Sequence, residues 1–488
     1  MRETWTSSTA TNNSSTPIVD LRNVSFAYRA AEETLHDVSL SIQAGECVVL
    51  CGASGSGKTT LIRLINGLAG GYYAGKTSGE IIINGNIAQK IPQWRRAETV
   101  GSVFQDPAAQ FFSSQLAGEI AFTCENLGYN HNQVVRNTDQ AISTFKLDDL
   151  RNTPNDALSS GQKQKLAIAS VMAPHPALLA MDEPSSNLDE STGWALGKTL
   201  AQLKASGHTL VIAEHRIAYL MNVADRFFYV RDGRIQAELT RKQMLMLSDD
   251  ERRAMGLRAP RKIVRPELPL PQLIPTNTHA TPTLEVRQAM MAFDHHQIFS
   301  DVSFTVDQGQ IVALTGINGA GKTTLARIIA GLLKSKSSQI LINGKRLSTQ
   351  QLRHSVWFSP NDTRAEFFTT SVAEEVMLLV PPNEKNERFA QRVLHELGLW
   401  KLKDHYPATL SGGQKQRLSI ACGLVARRQV LILDEPTSGL DSYNMTRLAE
   451  TLSYAAHKGQ AVLVITHDNE FISSCCTHNY ELASKPSH

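Results

Sequence analysis

Two stretches with the same order of glycine, lysine and threonine are the part of the sequence best suited to chemistry. They read GASGSGKTT at Gly52–Thr60 and GINGAGKTT at Gly316–Thr324. Glycines let a backbone curl so that its N–H groups point inward, and a following helix N-terminus favours negative charge. Such a loop is suited to binding phosphate groups. The two stretches therefore predict two nucleoside triphosphate sites.

We predict that every residue of both loops binds ATP. Lys58 and Lys322 are expected to reach the terminal phosphates, and the hydroxyls of Thr59 and Thr323 are expected to bind Mg²⁺. The complete set of loop ligands is Gly52, Ala53, Ser54, Gly55, Ser56, Gly57, Lys58, Thr59 and Thr60 in the first half, and Gly316, Ile317, Asn318, Gly319, Ala320, Gly321, Lys322, Thr323 and Thr324 in the second.

Adjacent carboxylates follow a short apolar run in each half. Asp182 and Glu183 follow Leu-Leu-Ala-Met, and Asp434 and Glu435 follow Leu-Ile-Leu. An aspartate at the end of a buried strand can hold Mg²⁺ through water, while the glutamate beyond it can orient or deprotonate the attacking water. We therefore predict Asp182 and Asp434 as metal-binding residues, and Glu183 and Glu435 as catalytic residues.

The apolar pattern predicts the elements that position these residues. Runs at 47–51 and 311–315 read as strands leading into the glycine loops, and 61–68 and 325–332 continue at helical spacing. Four further runs read as buried parallel strands, whose carboxyl ends gather ligands: 178–181, 210–213, 431–433 and 462–465. The sequence thus predicts an α/β fold in each half.

The two halves form a long internal repeat, but their spacing is not uniform. Lys58 and Lys322 are 264 positions apart, whereas Asp182 and Asp434 are 252 apart. Twelve extra residues therefore lie early in the first half. We interpret the glycine-rich segment Gly70–Gly79, which has only the short counterpart 334–338, as a surface loop.

Length and composition set the outline of the molecule. The chain has 488 residues, more than a single hydrophobic core usually supports. Its net charge of +3 gives no support to nucleic-acid binding. We predict a disordered tail over 1–17, a first ATP-binding domain over 18–248, a proline-rich linker over 249–282 and a second domain over 283–483. The basic residues of the linker are interpreted as solvated.

Cysteine spacing and hydropathy indicate the cellular compartment in which the chain functions. The six cysteines form no CxxC pair, which fits a reducing, cytosolic compartment. No run of about 18 apolar residues occurs, so a membrane role would have to come through a partner.

Two further motifs make the chain resemble the ABC ATPase family. LSSGQKQK at 158–165 and LSGGQKQR at 410–417 look like that family's signature sequence, and SNLD at 186–189 and SGLD at 438–441 extend the likeness. The resemblance implies two P-loop NTPase cassettes. Each would have a RecA-like parallel-sheet core, a small antiparallel β-layer and a helical subdomain.

The resemblance also implies further site residues. The signature residues Ser159, Gly161, Gln162, Ser411, Gly413 and Gln414 would close over the ATP of the opposite cassette, so the two cassettes would pair within the chain. The family's histidine that contacts the terminal phosphate corresponds to His215 and His467. Tyr28 and Phe293 stand where the family has an aromatic that stacks on adenine, although core packing competes with that role.

The halves differ in two places that bear on catalysis. Gln105 matches the family's glutamine that contacts Mg²⁺, whereas the second half offers the shorter Asn361. The first signature has Ser160 where the second has Gly412. Head-to-tail pairing puts both departures on the Lys322 site. We hypothesise that the Lys58 site carries most turnover, the alternative being that both substitutions are tolerated.

The stretch QDPAAQFFSSQLAGEIAFTCEN at 105–126 resembles the corresponding region of energy-coupling factor (ECF) ATPases. That resemblance implies uptake of a vitamin or transition-metal ion, through an integral membrane T-component and a substrate-binding S-component. The chain would lie peripherally on the cytoplasmic face of the membrane. The alternatives are the fused ATPase of a sugar or peptide importer and an ABC-F-like ATPase of ribosomes, although the latter family has a long, charged, helical linker.

Overall fold

A computed structural model describes residues 16–29, 33–271, 281–293, 296–335, 337–361, 367–410 and 412–483. The chain divides into two compact units. Unit 1 comprises residues 1–185 and 194–248, and unit 2 comprises residues 186–193 and 249–488. The predicted disordered tail falls almost wholly outside the described residues.

The first half of the chain alternates strands and helices. Its elements are β1 (Val19–Tyr28), β2 (Glu33–Ile42), β3 (Cys47–Cys51), α1 (Lys58–Ile65), β4 (Gly75–Ile83), β5 (Asn86–Ile87), α2 (Gln93–Arg96), β6 (Val100–Val103), α3 (Leu116–Asn126), α4 (His131–Thr144), α5 (Ser160–Met172), β7 (Leu178–Asp182), α6 (Glu190–Ala205), β8 (Thr209–Ala213), β9 (Arg226–Arg231), β10 (Arg234–Thr240) and α7 (Arg241–Met246).

The second half repeats this order with small differences. Its elements are α8 (Asp249–Ala254), β11 (Leu284–Phe293), β12 (His296–Val306), β13 (Ile311–Thr315), α9 (Lys322–Ile329), β14 (Gln339–Ile342), β15 (Lys345–Arg346), α10 (Thr349–Ser355), β16 (Val356–Ser359), α11 (Val372–Met377), α12 (Glu384–Glu396), α13 (Gly412–Val425), β17 (Val430–Asp434), α14 (Ser442–His457), β18 (Ala461–Ile465), α15 (Asn469–Cys475) and β19 (His478–Glu481).

A parallel sheet forms the centre of each unit. The strand order is β10-β9-β3-β8-β7-β6 in unit 1 and β16-β17-β18-β13-β19 in unit 2, with only β10 antiparallel to its neighbour. The predicted strands are all present and almost wholly buried, because continuous apolar runs suit a sheet that is covered on both faces. The carboxyl ends of β3, β7 and β8 therefore meet at one edge.

Each unit also has a small antiparallel sheet that packs on the helix after the glycine loop. The orders are β2-β1-β4-β5 and β12-β11-β14-β15. In unit 1, Phe26 from this layer and Leu61 from α1 share one buried core. Helices α3 to α5 and α11 to α13 form the third layer. The predicted α/β fold with two cassettes is confirmed.

The structure corrects the prediction that Gly70–Gly79 is a surface loop. Only its first part is a loop, because Gly75–Gly79 begins β4 and pairs with β1, Gly75 lying opposite Tyr28. Glycines weaken a strand signal in the sequence, yet they are tolerated where another backbone comes close. A Cβ at Gly75 would lie 2.5 Å from the carbonyl oxygen of Ala27.

The structure also corrects, for two arginines, the interpretation that the basic residues of the linker are solvated. Residues 249–254 form α8, which ends before the first proline of the segment. Arg252 and Arg258 are buried, and both form ion pairs with acidic residues of unit 2. A buried guanidinium needs such partners, which the sequence places about 210 residues away. Within the described ranges, no helix is long and apolar enough to span a bilayer.

Candidate functional site

The two glycine loops lie between a buried strand and a helix, as predicted. Gly57 and Gly321 precede α1 and α9 with φ values of 109° and 94°, a region that side chains rarely adopt. A Cβ at Gly57 would lie 2.7 Å from Leu35, and one at Gly321 would lie 2.5 Å from Ile298. Only glycine fits these positions, and the helix N-termini leave N–H groups available for an anion.

The lysine and threonine of each loop have matching partners. Lys58 donates to the carbonyl oxygens of Gly52 and Ala53 at 3.0 and 2.8 Å, which holds its ammonium group over the loop. Lys322 does the same with Gly316 and Ile317 at 2.8 and 3.0 Å. A phosphate entering the loop would therefore find the cation already placed.

The predicted carboxylates lie at the ends of β7 and β17, next to the glycine loops. The Thr59 hydroxyl donates to Asp182 at 2.9 Å, and the Thr323 hydroxyl donates to Asp434 at 2.7 Å. Each unit thus brings together a hydroxyl and a carboxylate oxygen, the hard oxygen donors that suit a divalent cation such as Mg²⁺.

Burial strains the ionised form of both aspartates. It is the main cause that raises the pKa of Asp182 to about 6, followed by the nearby charge of Glu183, while the hydrogen bond from Thr59 acts in the opposite direction. Burial likewise raises the pKa of Asp434 to about 6. Buried carboxylates with raised pKa values are typical of a site that binds a cation.

We expect Asp182→Asn to stabilise the nucleotide-free, metal-free protein at about pH 7.5 by about 1–3 kcal/mol. The raised pKa means that the folded state binds a proton more tightly than the unfolded state does. The ionised Asp182 therefore destabilises the fold, increasingly from about pH 4 to about pH 6 and fully above that. Asparagine cannot ionise, so the gain should fade as the pH falls. Urea unfolding at about pH 7.5 and at about pH 4 measures this gain.

The exposed carboxylate variant Asp148→Asn is the matched control and should give no comparable gain. If Asp182→Asn raised the free energy of unfolding by the same amount at both pH values, that result would contradict the proposed destabilisation by ionised Asp182.

Glu183 follows Asp182 in a backbone conformation that side chains seldom adopt. Its φ is 43°, and its N–H donates to the carbonyl of Ala213 at 2.8 Å. Its carboxylate accepts from Gln105 Nε2 at 3.0 Å and lies 3.4 Å from His215 Nε2. The structure thus brings together three residues predicted from the sequence, Glu183, Gln105 and His215.

Glu435 has the same backbone conformation but different partners. Its φ is 47°, and its N–H donates to Ile465 at 2.8 Å. Its carboxylate lies 2.9 Å from His467 Nδ1, and its carbonyl accepts from Gln416 at 3.2 Å. Asn361 is exposed, at the end of the described residues that precede the gap at 362–366. The two carboxylates therefore differ in which histidine nitrogen they face.

The first signature sequence begins helix α5. Ser159 is the N-cap: its hydroxyl accepts from the N–H of Gln162, whose side chain accepts from the N–H of Ser159 in return. Gly161 and Gln162 lie in the first turn. In unit 2, Gly413 and Gln414 lie in the first turn of α13, while Ser411 falls outside the described residues.

Tyr28 ends β1 beside α1 and is half-buried. Its hydroxyl lies 3.2 Å from that of Thr60 and accepts from Arg63 at 3.3 Å, and its ring meets Phe26 edge-on at 4.8 Å. Both roles considered for it, packing and stacking, fit this position. Phe293 ends β11, but its side chain is outside the described residues.

If Tyr28 stacks on adenine, Tyr28→Ala should raise the KM for ATP about 3- to 10-fold with little change in kcat, because aromatic pairs contribute about 0.5–1.5 kcal/mol. Tyr28→Phe keeps the ring and is the control. An Ala variant with unchanged KM would leave Tyr28 as a packing residue only.

One buried carboxylate near His215 was missed in the sequence. Glu214 accepts from the backbone N–H groups of His215 and Arg216 at 2.7 and 3.1 Å, and from the hydroxyls of Ser185 and Tyr219 at 2.7 and 2.8 Å. The signal was available, because the aligned position in the second half is Thr466. A glutamate that replaces a small residue inside a strand end needs such partners.

With this geometry in place, the family comparison is direct. The model of the family described as ABC transporter matches residues 35–186 and 299–438. The chain belongs to the ABC transporter ATP-binding family. It is therefore an ATPase whose hydrolysis of ATP is coupled to transport, and ATP is its nucleotide.

Relatives match the chain over nearly all of its length. A provisionally named ABC transporter ATP-binding protein of Treponema denticola is 38% identical over 463 residues, 94% of each chain. YkoD of Bacillus subtilis, provisionally named an HMP/thiamine import ATP-binding protein, is 31% identical and aligns over 94% of this chain and 88% of its own length. The structure of ribosome-bound archaeal Pelota and ABCE1 contains a chain with a TM-score of 0.65 and 18% identity, covering 94% and 76% of the two chains, a likeness of fold alone.

Proposed function

We propose that this chain is the ATP-hydrolysing subunit of an importer of the ECF type, energising uptake of a vitamin or transition-metal ion. It would act at the cytoplasmic face of the membrane through an integral T-component and a substrate-binding S-component. The likeness to YkoD, whose name refers to HMP/thiamine import, supports a vitamin among the possible substrates.

One observation carries the proposal: each unit presents an exposed phenylalanine at the same place. Phe112 of unit 1 is 76% exposed and stacks on Phe122 with ring centroids 4.9 Å apart, and Phe368 of unit 2 is 80% exposed. Exposed aromatic side chains are typical anchors of protein interfaces. Phe112 lies within 105–126, the segment that by resemblance to ECF ATPases meets the membrane subunit, and Phe368 is the aligned residue of the second half.

Buried glutamates hold both phenylalanines in place. Glu119 accepts from the backbone N–H groups of Phe112 and Ser113 at 2.8 and 2.7 Å. Glu375 accepts from those of Phe368 and Thr369, both at 2.9 Å. Burying a carboxylate is costly unless it is hydrogen-bonded. The same arrangement in both units therefore supports a functional role for the loop conformation that exposes each phenylalanine.

We also propose Mg²⁺ as the metal, held by Thr59 and Asp182 with Gln105 in reach in unit 1, and by Thr323 and Asp434 in unit 2. When bound, it would neutralise part of the phosphate charge. The chain's own groups would do the rest: Glu183 and Glu435 would orient the attacking water, and His215 and His467 would contact the terminal phosphate.

The family resemblance supports a further proposal, that each ATP is completed by the signature sequence of the opposite cassette. The first signature lies at a helix N-terminus, as anion binding requires. The Lys58 site would then face the second signature and the Lys322 site the first.

Sucrose-gradient fractionation of a lysate tests the proposal. We expect the tagged chain to float with membranes and to be released by detergent. Sedimentation with ribosomes would instead favour the ABC-F-like alternative, and recovery only among soluble proteins would contradict both.

A further inference from the structure

The segment that follows the first cassette, residues 249–271, is built into unit 2. Its centre is Arg258, whose side chain is only 4% exposed. A fully buried guanidinium has five N–H donors to satisfy and cannot lose its charge. What it contacts therefore indicates what it is for.

Arg258 joins two loops that carry site motifs. Its Nη2 donates to both oxygens of Asp468 at 2.6 and 2.7 Å, and its Nη1 donates to the carbonyl of Leu440 at 3.4 Å. Asp468 follows His467 directly, and Leu440 belongs to the SGLD motif. One side chain thus ties the histidine loop to the SGLD loop.

The histidine loop is fixed at several points by Asp468. The Asp468 carboxylate caps α15 by accepting from the N–H of Phe471 at 3.2 Å. The N–H of Asp468 donates to the hydroxyl oxygen of Thr466 at 3.1 Å. The neighbouring His467 places Nδ1 2.9 Å from Glu435. Any shift of Asp468 would therefore move the histidine that faces the catalytic carboxylate.

Neighbouring contacts hold the segment itself in place. Glu470 accepts from Arg258 Nε at 2.8 Å, from Arg252 at 2.9 Å and from the N–H of Ala259 at 3.2 Å. The N–H of Ser442, just after the SGLD motif, donates to the carbonyl of Gly256 at 3.2 Å. Arg258 is therefore part of a network of hydrogen bonds and ion pairs and not of a single ion pair.

Unit 1 fixes its histidine by different means. There Glu214 binds the N–H of His215 from within the same loop, and the position aligned with Asp468 is occupied by Arg216. Unit 2 has Thr466 in place of that glutamate. It uses Asp468 and a guanidinium from the connecting segment instead.

We propose that Arg258 is a positioning residue for the second catalytic site: the segment after the first cassette holds His467 in place through Asp468. The inference rests on the role proposed for His467 at the terminal phosphate. It does not depend on which membrane partner the protein serves.

The test isolates the second site in the full chain. In a Glu183→Gln background, single-turnover hydrolysis with enzyme in excess over labelled ATP resolves even a slow site. Arg258→Met should lower its rate about 10- to 100-fold with little change in the enzyme concentration that gives half the maximal rate, because misplacing a catalytic group by about 1 Å can cost on the order of 100-fold. Arg258→Lys should recover part of the loss, whereas Arg261→Met, a change of an exposed arginine of the same segment, should have no effect.

A double-mutant cycle separates positioning from general damage. If Arg258 acts through His467, then Arg258→Met should slow His467→Ala no further. Asp468→Asn keeps the helix cap and should reproduce the Arg258→Met loss, which guards against an arginine variant that folds poorly. Additive losses in the cycle, or a rate for Arg258→Met and Asp468→Asn equal to that of the Arg261→Met control, would overturn the proposal.

Discussion

Replacing Glu183 by Gln is expected to lower ATP hydrolysis at the Lys58 site by about 100-fold or more, since a positioned base contributes about 10²- to 10⁴-fold. Glutamine keeps the shape of the side chain and its neighbours Gln105 and His215, but it cannot accept a proton from water. The KM for ATP should change little, because the glycine loop and Lys58 remain.

The same change at Glu435 should cost much less, below about 2-fold, because the site that retains Glu183 would still supply most of the turnover. The reason is the hypothesis that the Lys322 site, with Asn361 and a signature containing Ser160, is the slower one. The different contacts of the two glutamates support it: Glu183 accepts from Gln105 and faces His215 Nε2, whereas Glu435 faces His467 Nδ1. Equal losses in the two variants, measured by phosphate release under identical conditions, would contradict the asymmetry.

Phe112→Asp is the second change for which we expect a large effect, on binding of the membrane partner rather than on hydrolysis. An aromatic anchor contributes about 2–4 kcal/mol, which corresponds to a roughly 30- to 1,000-fold weaker complex. A carboxylate in place of the ring would also have to be desolvated on binding. Binding of the purified chain to partner-containing nanodiscs measures the loss.

Two variants complete that experiment. Phe368→Asp tests the matching position in unit 2, and Trp94→Ala removes another exposed aromatic side chain that the resemblance does not place at the partner. ATP hydrolysis by the isolated Phe112→Asp chain should stay near that of the parent. Unchanged binding by both phenylalanine variants would contradict the proposed docking surface.

The parts of the site that the sequence predicted are those determined by local pattern. The lysine loops and the strands before Asp182 and Asp434 follow from short apolar runs and from glycine spacing, whereas His215 was assigned by the resemblance to the ABC ATPase family. Repetition strengthened each of them, because a motif that occurs twice in matching order has little chance of being accidental.

The parts that the sequence did not predict depend on distant partners. Arg258 was interpreted as solvated because most charges in a proline-rich segment are, and its partner Asp468 is 210 positions away. Glu214 was passed over because its role depends on Ser185 and Tyr219, which only the folded loop brings together. The strand start at Gly75 was hidden by its glycines, which the close backbone of β1 requires.

Affinity purification from gently solubilised native membranes, followed by mass spectrometry, tests the central claim most directly. We expect small integral membrane proteins of the T and S type to copurify with the parent chain and to be lost with the Phe112→Asp, Phe368→Asp double variant. The identity of the S protein would indicate the substrate. Recovery of ribosomal proteins, or of soluble companions only, would contradict the proposal of an importer.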